Sequence, residues 1–353
     1  MSLYGRLKSR WSQIYSAVSD TVSEDYLGQR APKGFRIGIM VLLIAFLFLI
    51  ALGWYWSAEP KLFDVRPSVD SLPTAVPGAV TTATLINVID VLLNKPGGYL
   101  SNDVIPPGVW LDNLPSWEFG VIVQARDLSK AMRESFSRSQ SQSAEDPDLA
   151  LAEPRFNIDH LSWAVPWPES EYASARDYLS GYLKRLVKDE AFDAQFFTRA
   201  DNLSYWLGTV EKRLGSLSQR LSASVGQRRL NTDLAGDPEA RQSTPTPSER
   251  FIKTGWLRID NVYYEARGTS WALIHFLRAV EVDFSEVLIK KGALVSVQQI
   301  IRELEMTQQA VHAPIILNGE GFGVLANHSL VMASYISRAN AAIIDLRDLL
   351  ARG

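Results

Sequence analysis

The stretch that most constrains this chain is RIGIMVLLIAFLFLIALGWYWSAEP, in which Ile37 to Ala58 form a run of 22 uncharged and mostly large apolar residues. A helix of about 20 residues crosses the roughly 30 Å hydrocarbon core of a bilayer. The run therefore predicts a transmembrane helix over 37–58. A cleaved signal peptide is the rival, but its apolar core usually covers about 7–15 residues and ends in small side chains. Here the run closes on Trp54, Tyr55 and Trp56, amphipathic rings suited to the headgroup layer. With Arg36 at the opposite end, they are the expected membrane-interface anchors of a helix that stays in place.

Charge sets the expected orientation. Arg6, Lys8, Arg10, Arg30, Lys33 and Arg36 precede the run against Asp20, Glu24 and Asp25, six cations to three acids, a balance of +3. The positive-inside tendency keeps that end in the cytoplasm and exports the residues after the run. Because the whole chain carries −3, the remainder carries −6. Phosphate recognition needs a basic footprint, so an acidic exported body sets nucleic acid aside and leaves the lipid bilayer as the first expected partner. With no cysteine there is no disulfide framework, thiolate metal site or cysteine nucleophile, and His160, His275, His312 and His328 are the four imidazoles. No metal and no cofactor are expected.

At 353 residues and 46% hydrophobic content the chain can bury one or two cores. In the tail, 1–36, Leu3, Leu7, Trp11, Ile14, Tyr15 and Val18 recur at helical spacing, predicting a basic amphipathic helix on the inner membrane surface. Residues 59–80 carry four prolines and predict an extended spacer. A helical domain is expected over 81–353. TTATLINVIDVLLN has an apolar stripe that stops before Pro96, and a further helix is expected from Ser116 or Val121. Leu203, Leu207, Val210, Leu214, Leu217 and Leu221 alternate in steps of four and three, a short seam expected to pack against another helix of the same chain. Further helices are expected at 258–290, 293–312 and 325–351, the last with a stripe of Leu325, Leu330, Tyr335, Ile336, Ile343, Ile344 and Leu350. Polar stretches near 137–154 and 226–250 lack the apolar content to pack and are expected to be long loops. The fold class is therefore mainly α: one N-terminal transmembrane helix, then an irregular helical bundle.

Three stretches invite a functional reading. NKPGGYLSNDVIPPG, residues 94–108, places its lysine before its glycines, the wrong order for a phosphate-binding loop. It reads as a corner, with Tyr99, Trp110 and Trp117 as candidate partner-binding aromatics. In APIILNGEGFGVLANHSL, Gly319, Gly321 and Gly323 approach a dinucleotide fingerprint, but Val324 occupies the third glycine position. That stretch is expected to be a tight turn before a helix. The third candidate is Asp159 and His160, with Glu153, Glu169 and Glu171 nearby and Trp163 and Trp167 as aromatic platforms, an imaginable glycan site. Surface carboxylates around a buried aromatic cluster explain the same residues. His275, in WALIHFL, reads as a satisfied core histidine, and His312 with His328 lack a third metal ligand.

The basic tail, the single anchor, LLNKPGGYLSNDVIPPGVWLDNLPSWEFGVIVQARDL and the later TGWLRIDNVYYEARGTSWALIHFLRAVEVDF together resemble a family of uncharacterised single-pass inner-membrane proteins of Gram-negative bacteria, a domain of unknown function. The resemblance implies bacterial origin and an inner (cytoplasmic) membrane location, and brings no catalytic residues. The leading expectation is a scaffold or adaptor whose periplasmic domain binds other envelope proteins. The rival is a peptidoglycan-binding protein or hydrolase, and a transmembrane sensor ranks last because 36 residues leave no room for an output domain.

Overall fold

The computed structural model describes residues 33–65, 76–139, 144–188, 193–231, 247–313 and 315–352. The tail residues Leu3 to Val18 lie outside the described residues. The chain divides into two compact units, Met1–Leu52 and Gly53–Gly353.

The first unit holds most of α1, Lys33–Trp56. Phe35–Trp56 has a mean hydropathy of 2.8 and is, among the described residues, the one helix long and apolar enough to cross a membrane by length and composition. Its side chains face outward, with Phe35, Leu42 and Phe48 at 60%, 70% and 64% exposure. The helix ends two residues before the expected boundary: Ser57 still donates its N–H and Oγ to the Gly53 carbonyl at 2.9 and 2.8 Å, but the Ala58 N–H turns to the Tyr55 carbonyl three residues back, at 3.4 Å.

Among the described residues the second unit is helical with one small antiparallel pair of strands. Its helices are α2 (Ala79–Asn94), α3 (Asn113–Ala131), α4 (Pro147–Arg155), α5 (Pro168–Val187), α6 (Ala200–Ser222), α7 (Ile259–Asp283), α8 (Ser285–Lys290), α9 (Leu294–Met306) and α10 (His328–Ala351). The central element is α7, buried on every side from Ala266 to Leu277, which packs on α3, α2, α9 and α6. A helix without a polar face must be enclosed, and this one is. The α3–α7 crossing is close because two glycines meet it. A Cβ on Gly120 would lie 2.2 Å from the Glu265 carbonyl oxygen, and one on Gly268 2.0 Å from that of Trp117. At the start of α2, the Asp283 carboxylate from the end of α7 accepts bonds from the Thr81 N–H (2.7 Å) and hydroxyl (2.6 Å), satisfying donors that a helix start leaves open.

The six-residue seam of α6 is buried throughout, at most 3% exposed. Its partner is α10, where Arg347 pairs with Glu211 and Ser337 Oγ meets Ser218 Oγ at 2.5 Å. On α10 the buried stripe is Met332, Ile336, Ala339, Ile343, Leu346 and Leu350. Leu325 precedes the helix and is 65% exposed, and Ile344 is 41% exposed, so these two leave the stripe read from the sequence.

Three expectations are corrected. The extended spacer expected over 59–80 does not stand clear of the folded unit where it is described. Glu59 pairs with Arg267 at 2.9 Å, the Phe63 ring stacks on His275 at 3.8 Å, and Val65 is buried, so residues 59–65 lie against the folded unit. The polar stretch near 137–154 contains α4, whose start is capped by Asp146 accepting from Asp148 N and Leu149 N, with Pro147 at the first helical position. The stretch near 226–250 contributes β1 (Gln227–Leu230), which pairs antiparallel with β2 (Glu249–Ile252) in the register Gln227 to Ile252 and Leu230 to Glu249.

Candidate functional site

The loop between α2 and α3 is built around one buried carboxylate. Pro96 ends α2, and Gly97 and Gly98 adopt positive φ of 85° and 71° to turn the chain back. This places Lys95 Nζ 2.5 Å from Glu118 Oε1 on α3, while the same ammonium donates to the Gly98 carbonyl. Glu118 also accepts from Leu100 N at 2.9 Å, Ser101 N at 2.8 Å and Ser101 Oγ at 2.5 Å. Desolvation raises the Glu118 pKa, and the Lys95 charge and these donors oppose it.

The candidate partner-binding aromatics separate. Trp117 is an α3 residue, fully buried against Trp271 with ring centroids 5.1 Å apart. Tyr99 is 4% exposed, donates its hydroxyl to the His160 carbonyl at 3.1 Å and meets Tyr172 edge-on at 5.5 Å. Burial drives both phenols up, Tyr172 to about 12. Neither aromatic presents a surface to a partner, although Tyr99 does lie in the loop, and this corrects their expected role as partner-binding residues. Trp110, in a short 3-10 turn, is 53% exposed and keeps a surface position.

Two concavities flank this corner. The first, a cleft of about 740 Å³, lies between the 100–119 segment, His160 with Leu161, and residues 253–265. Its lining mixes Asp103, Asp112 and Glu265 with Arg220, Lys253 and Arg258. Arg220 is held by Glu265 through two bonds of 2.7 and 2.5 Å. Lys253 and Arg258 are exposed and make no ion pair among the described residues. Burial and the nearby Asp112 raise the Asp260 pKa beside this cleft. The second, a groove of about 370 Å³, is lined by Trp56, Asn102, Asp103, Val104, Ile105, Pro106, Trp163, Trp167 and Glu169. Asp103 is raised by desolvation first and Glu169 next, with Lys95 opposing.

The Asp159, His160, Trp163 and Trp167 set is divided between these features. His160 lines the cleft and packs on Phe119 at 4.5 Å, and desolvation lowers its pKa. Trp163 and Trp167 line the groove instead, at 70% and 55% exposure. The Asp159 side chain is 72% exposed and turns onto Leu161 N at 3.0 Å, 3.9 Å from His160 Nδ1. Glu153 and Glu171 are occupied by Arg133 and Arg155. The carboxylates that share a concavity with the tryptophans are Asp103 and Glu169, brought there by the fold from opposite sides of a 66-residue separation that sequence reading does not connect. Of the interface anchors, Arg36, Trp54 and Tyr55 are exposed, whereas Trp56 packs over Gly97, where a Cβ would come within 2.8 Å of its ring.

His275 is a core residue, its Nδ1 bonded to the Trp271 carbonyl (2.7 Å) and its Nε2 accepting from Phe63 N (3.1 Å). His328 Nδ1 accepts from Leu317 N at 3.1 Å, and His312 is exposed. Among the described residues no group of three or more His, Cys, Asp or Glu is placed to hold a metal. The glycine stretch forms a turn in which Asn318 bridges Asn327, and Asn327 caps α10 by accepting from Leu330 N at 2.8 Å.

No curated protein and no solved structure matches this chain. The family described as uncharacterised proteins conserved in bacteria, DUF2333, matches residues 30–353, including α1, the corner and both concavities, and the chain belongs to that family.

Proposed function

We propose that this protein is a bilayer-anchored scaffold of the bacterial cell envelope, whose folded unit lies in the periplasm and receives a segment of another envelope protein in the 740 Å³ cleft. Support for the anchor comes from the length and hydropathy of α1, the excess of cations before it and the exposed Trp54 and Tyr55 at its end. The observation that carries the binding role is the cleft itself. Its walls are held by structural pairs such as Arg220 with Glu265, while Lys253 and Arg258 remain available at its edge. Those two cations suit a partner segment bearing carboxylates, and Val109, Leu111 and Phe119 give it apolar contact.

The test is photo-crosslinking in living cells from a photoreactive residue at Lys253, with Val295 on α9, 73% exposed, as reference. One recurrent envelope protein captured at Lys253 and not at Val295 is the expected result. The same products at both positions, or none at Lys253, would contradict the reading.

A second reading is binding or cleavage of a cell-wall glycan in the groove. Its support is the pairing of Trp163 and Trp167, which suit sugar faces, with Asp103 and Glu169, the two-carboxylate equipment of glycoside hydrolysis. Retention of the full-length chain on purified peptidoglycan, lost on replacing both tryptophans by alanine, would favour it; passage of the wild-type chain without retention would remove it.

A further inference from the structure

One groove of the folded unit gathers an unusual amount of exposed apolar surface. Val104 (61% exposed), Ile105 (72%), Trp163 (70%) and Trp167 (55%) line it, and Val165, between the tryptophans in the chain, is 83% exposed. Contiguous apolar surface rimmed by polar groups marks an interaction site. Two loops carry it, and Asn102 ties them together by donating to Ser162 O and to Glu169 Oε2, both at 3.1 Å. The rim is therefore braced before it meets any partner.

The occupant is indicated by what else lines the groove. Trp56, the last residue of α1, forms part of the wall, and Trp54 and Tyr55 extend the exposed aromatic surface at 83% and 60%. The headgroup layer on each side of the hydrocarbon core is about 5–7 Å deep. On the anchored reading the chain leaves the hydrocarbon near Trp56, and the groove that Trp56 walls adjoins that point. Tryptophan with aliphatic neighbours is the side-chain mixture that favours the headgroup layer. The charged residues lining the groove, Asp103 and Glu169, are both acidic, and together with three tryptophan faces they complement the ammonium end of a zwitterionic headgroup.

We propose that the rim formed by Val104, Ile105, Trp163, Val165 and Trp167 seats in the headgroup layer of the bilayer that α1 crosses, with amine headgroups entering the groove. This rests on the anchored reading above, and it adds a second attachment that fixes how the folded unit is held at the membrane surface.

The chain has no cysteine, so single-cysteine variants carry one spin label each without background. Full-length Ile105→Cys, Val165→Cys, Leu42→Cys and Val295→Cys chains are placed in nanodiscs of phosphatidylethanolamine and phosphatidylglycerol. Collision rates with oxygen, which enters lipid, and with a water-soluble nickel chelate are then compared. The expected result is an oxygen-to-nickel ratio at Ile105 and Val165 several-fold above that at Val295 and below that at Leu42. Ratios at Ile105 and Val165 equal to Val295, with Leu42 reading lipid, overturn the docking and leave the anchor standing. A Leu42 label that reads water removes the anchor and the docking with it. Protection that appears only on adding soluble peptidoglycan fragments also overturns the docking and assigns the groove to glycan.

Discussion

Lys95 Nζ and Glu118 Oε1 lie 2.5 Å apart with their side chains 1% and 0% exposed, joining the end of α2 to the second turn of α3. The glycine- and proline-rich loop between them is shaped by this pair, since its amides at Leu100 and Ser101 point at the same carboxylate. The 94–108 stretch is a corner with a concavity on either side of it.

Removing one partner of a buried pair strands the other, at a cost of about 3–5 kcal/mol. Glu118→Ala is expected to lose that amount, since it also orphans two loop amides. Combining it with Lys95→Met should recover part of the loss, because the stranded ammonium is gone. Urea unfolding of the four full-length chains in detergent, read as a double-mutant cycle, checks this. A Glu118→Ala chain within about 1 kcal/mol of wild type, the worth of an exposed pair, would contradict it.

Trp117 and Trp110 are expected to separate stability from function. Trp117→Ala should cost about 3–5 kcal/mol as a large-to-small core change, given its full burial. Trp110→Ala, at a half-exposed position, should leave the unfolding midpoint nearly unchanged. Thermal melts of both variants decide; similar losses would place Trp110 in the core.

His275 makes stability depend on pH. Desolvation first, and Arg278 next among the lowering causes, hold its pKa down at about 4 against the bond to the Trp271 carbonyl that raises it. The unfolded imidazole titrates near pH 6.5. Between about pH 6.5 and pH 4 the unfolded chain binds a proton that the folded chain refuses, so stability is complete above that window and falls as acid is added, by about 3 kcal/mol at one unit per 1.36 kcal/mol. The His275→Gln chain should show a correspondingly shallower slope across the same window. Equal slopes for the two chains, measured by urea unfolding at stepped pH, would place the titration elsewhere.

The α3–α7 crossing should not tolerate a methyl group. Gly120→Ala and Gly268→Ala each bring a Cβ within 2.2 Å or less of a backbone oxygen on the facing helix, where no flexible side chain can yield. Each is expected to cost at least about 1–3 kcal/mol, the usual penalty of overpacking. Gly255→Ala, where a Cβ meets nothing within 4 Å, is the matched control. Melts in which all three variants coincide would contradict the close crossing.

These residues also explain what can be read from the sequence. The apolar run of α1 and the seam of α6 stand out because their periodicity is local and unbroken. On α10 the apolar content is readable but its stripe is not, since alanine and exposed isoleucine blur the periodicity and packing against α6 and α9 decides that Met332, Ala339 and Leu346 are buried. Helix α4 hides because its core face is only Leu149 and Ala152, and Arg185 on α5 braces its start by gripping Asp146 and Asp148. Gly120 and Gly268 look like weak points in helices until the facing backbone is seen. Trp110, Trp163 and Trp167 can be noticed as aromatics near turn residues, but nothing local distinguishes them from the buried Trp117. The grouping of Trp163 and Trp167 with Trp56, Asp103 and Glu169 depends on tertiary contacts across the chain.

The proposed scaffold and the proposed rim docking both rest on an anchored, exported folded unit, and that arrangement is tested most directly by cysteine accessibility. In a chain without cysteine, Ile289→Cys on α8, 64% exposed, and Ser9→Cys in the basic tail each provide one reactive thiol. Intact cells with a permeabilised outer membrane are treated with a membrane-impermeant maleimide. The expected result is labelling of Ile289→Cys in intact cells, labelling of Ser9→Cys only after lysis, and a membrane-bound product that retains the N-terminal tail. Labelling of Ser9→Cys alone in intact cells, or a soluble product that has lost the tail, would contradict the anchored and exported arrangement.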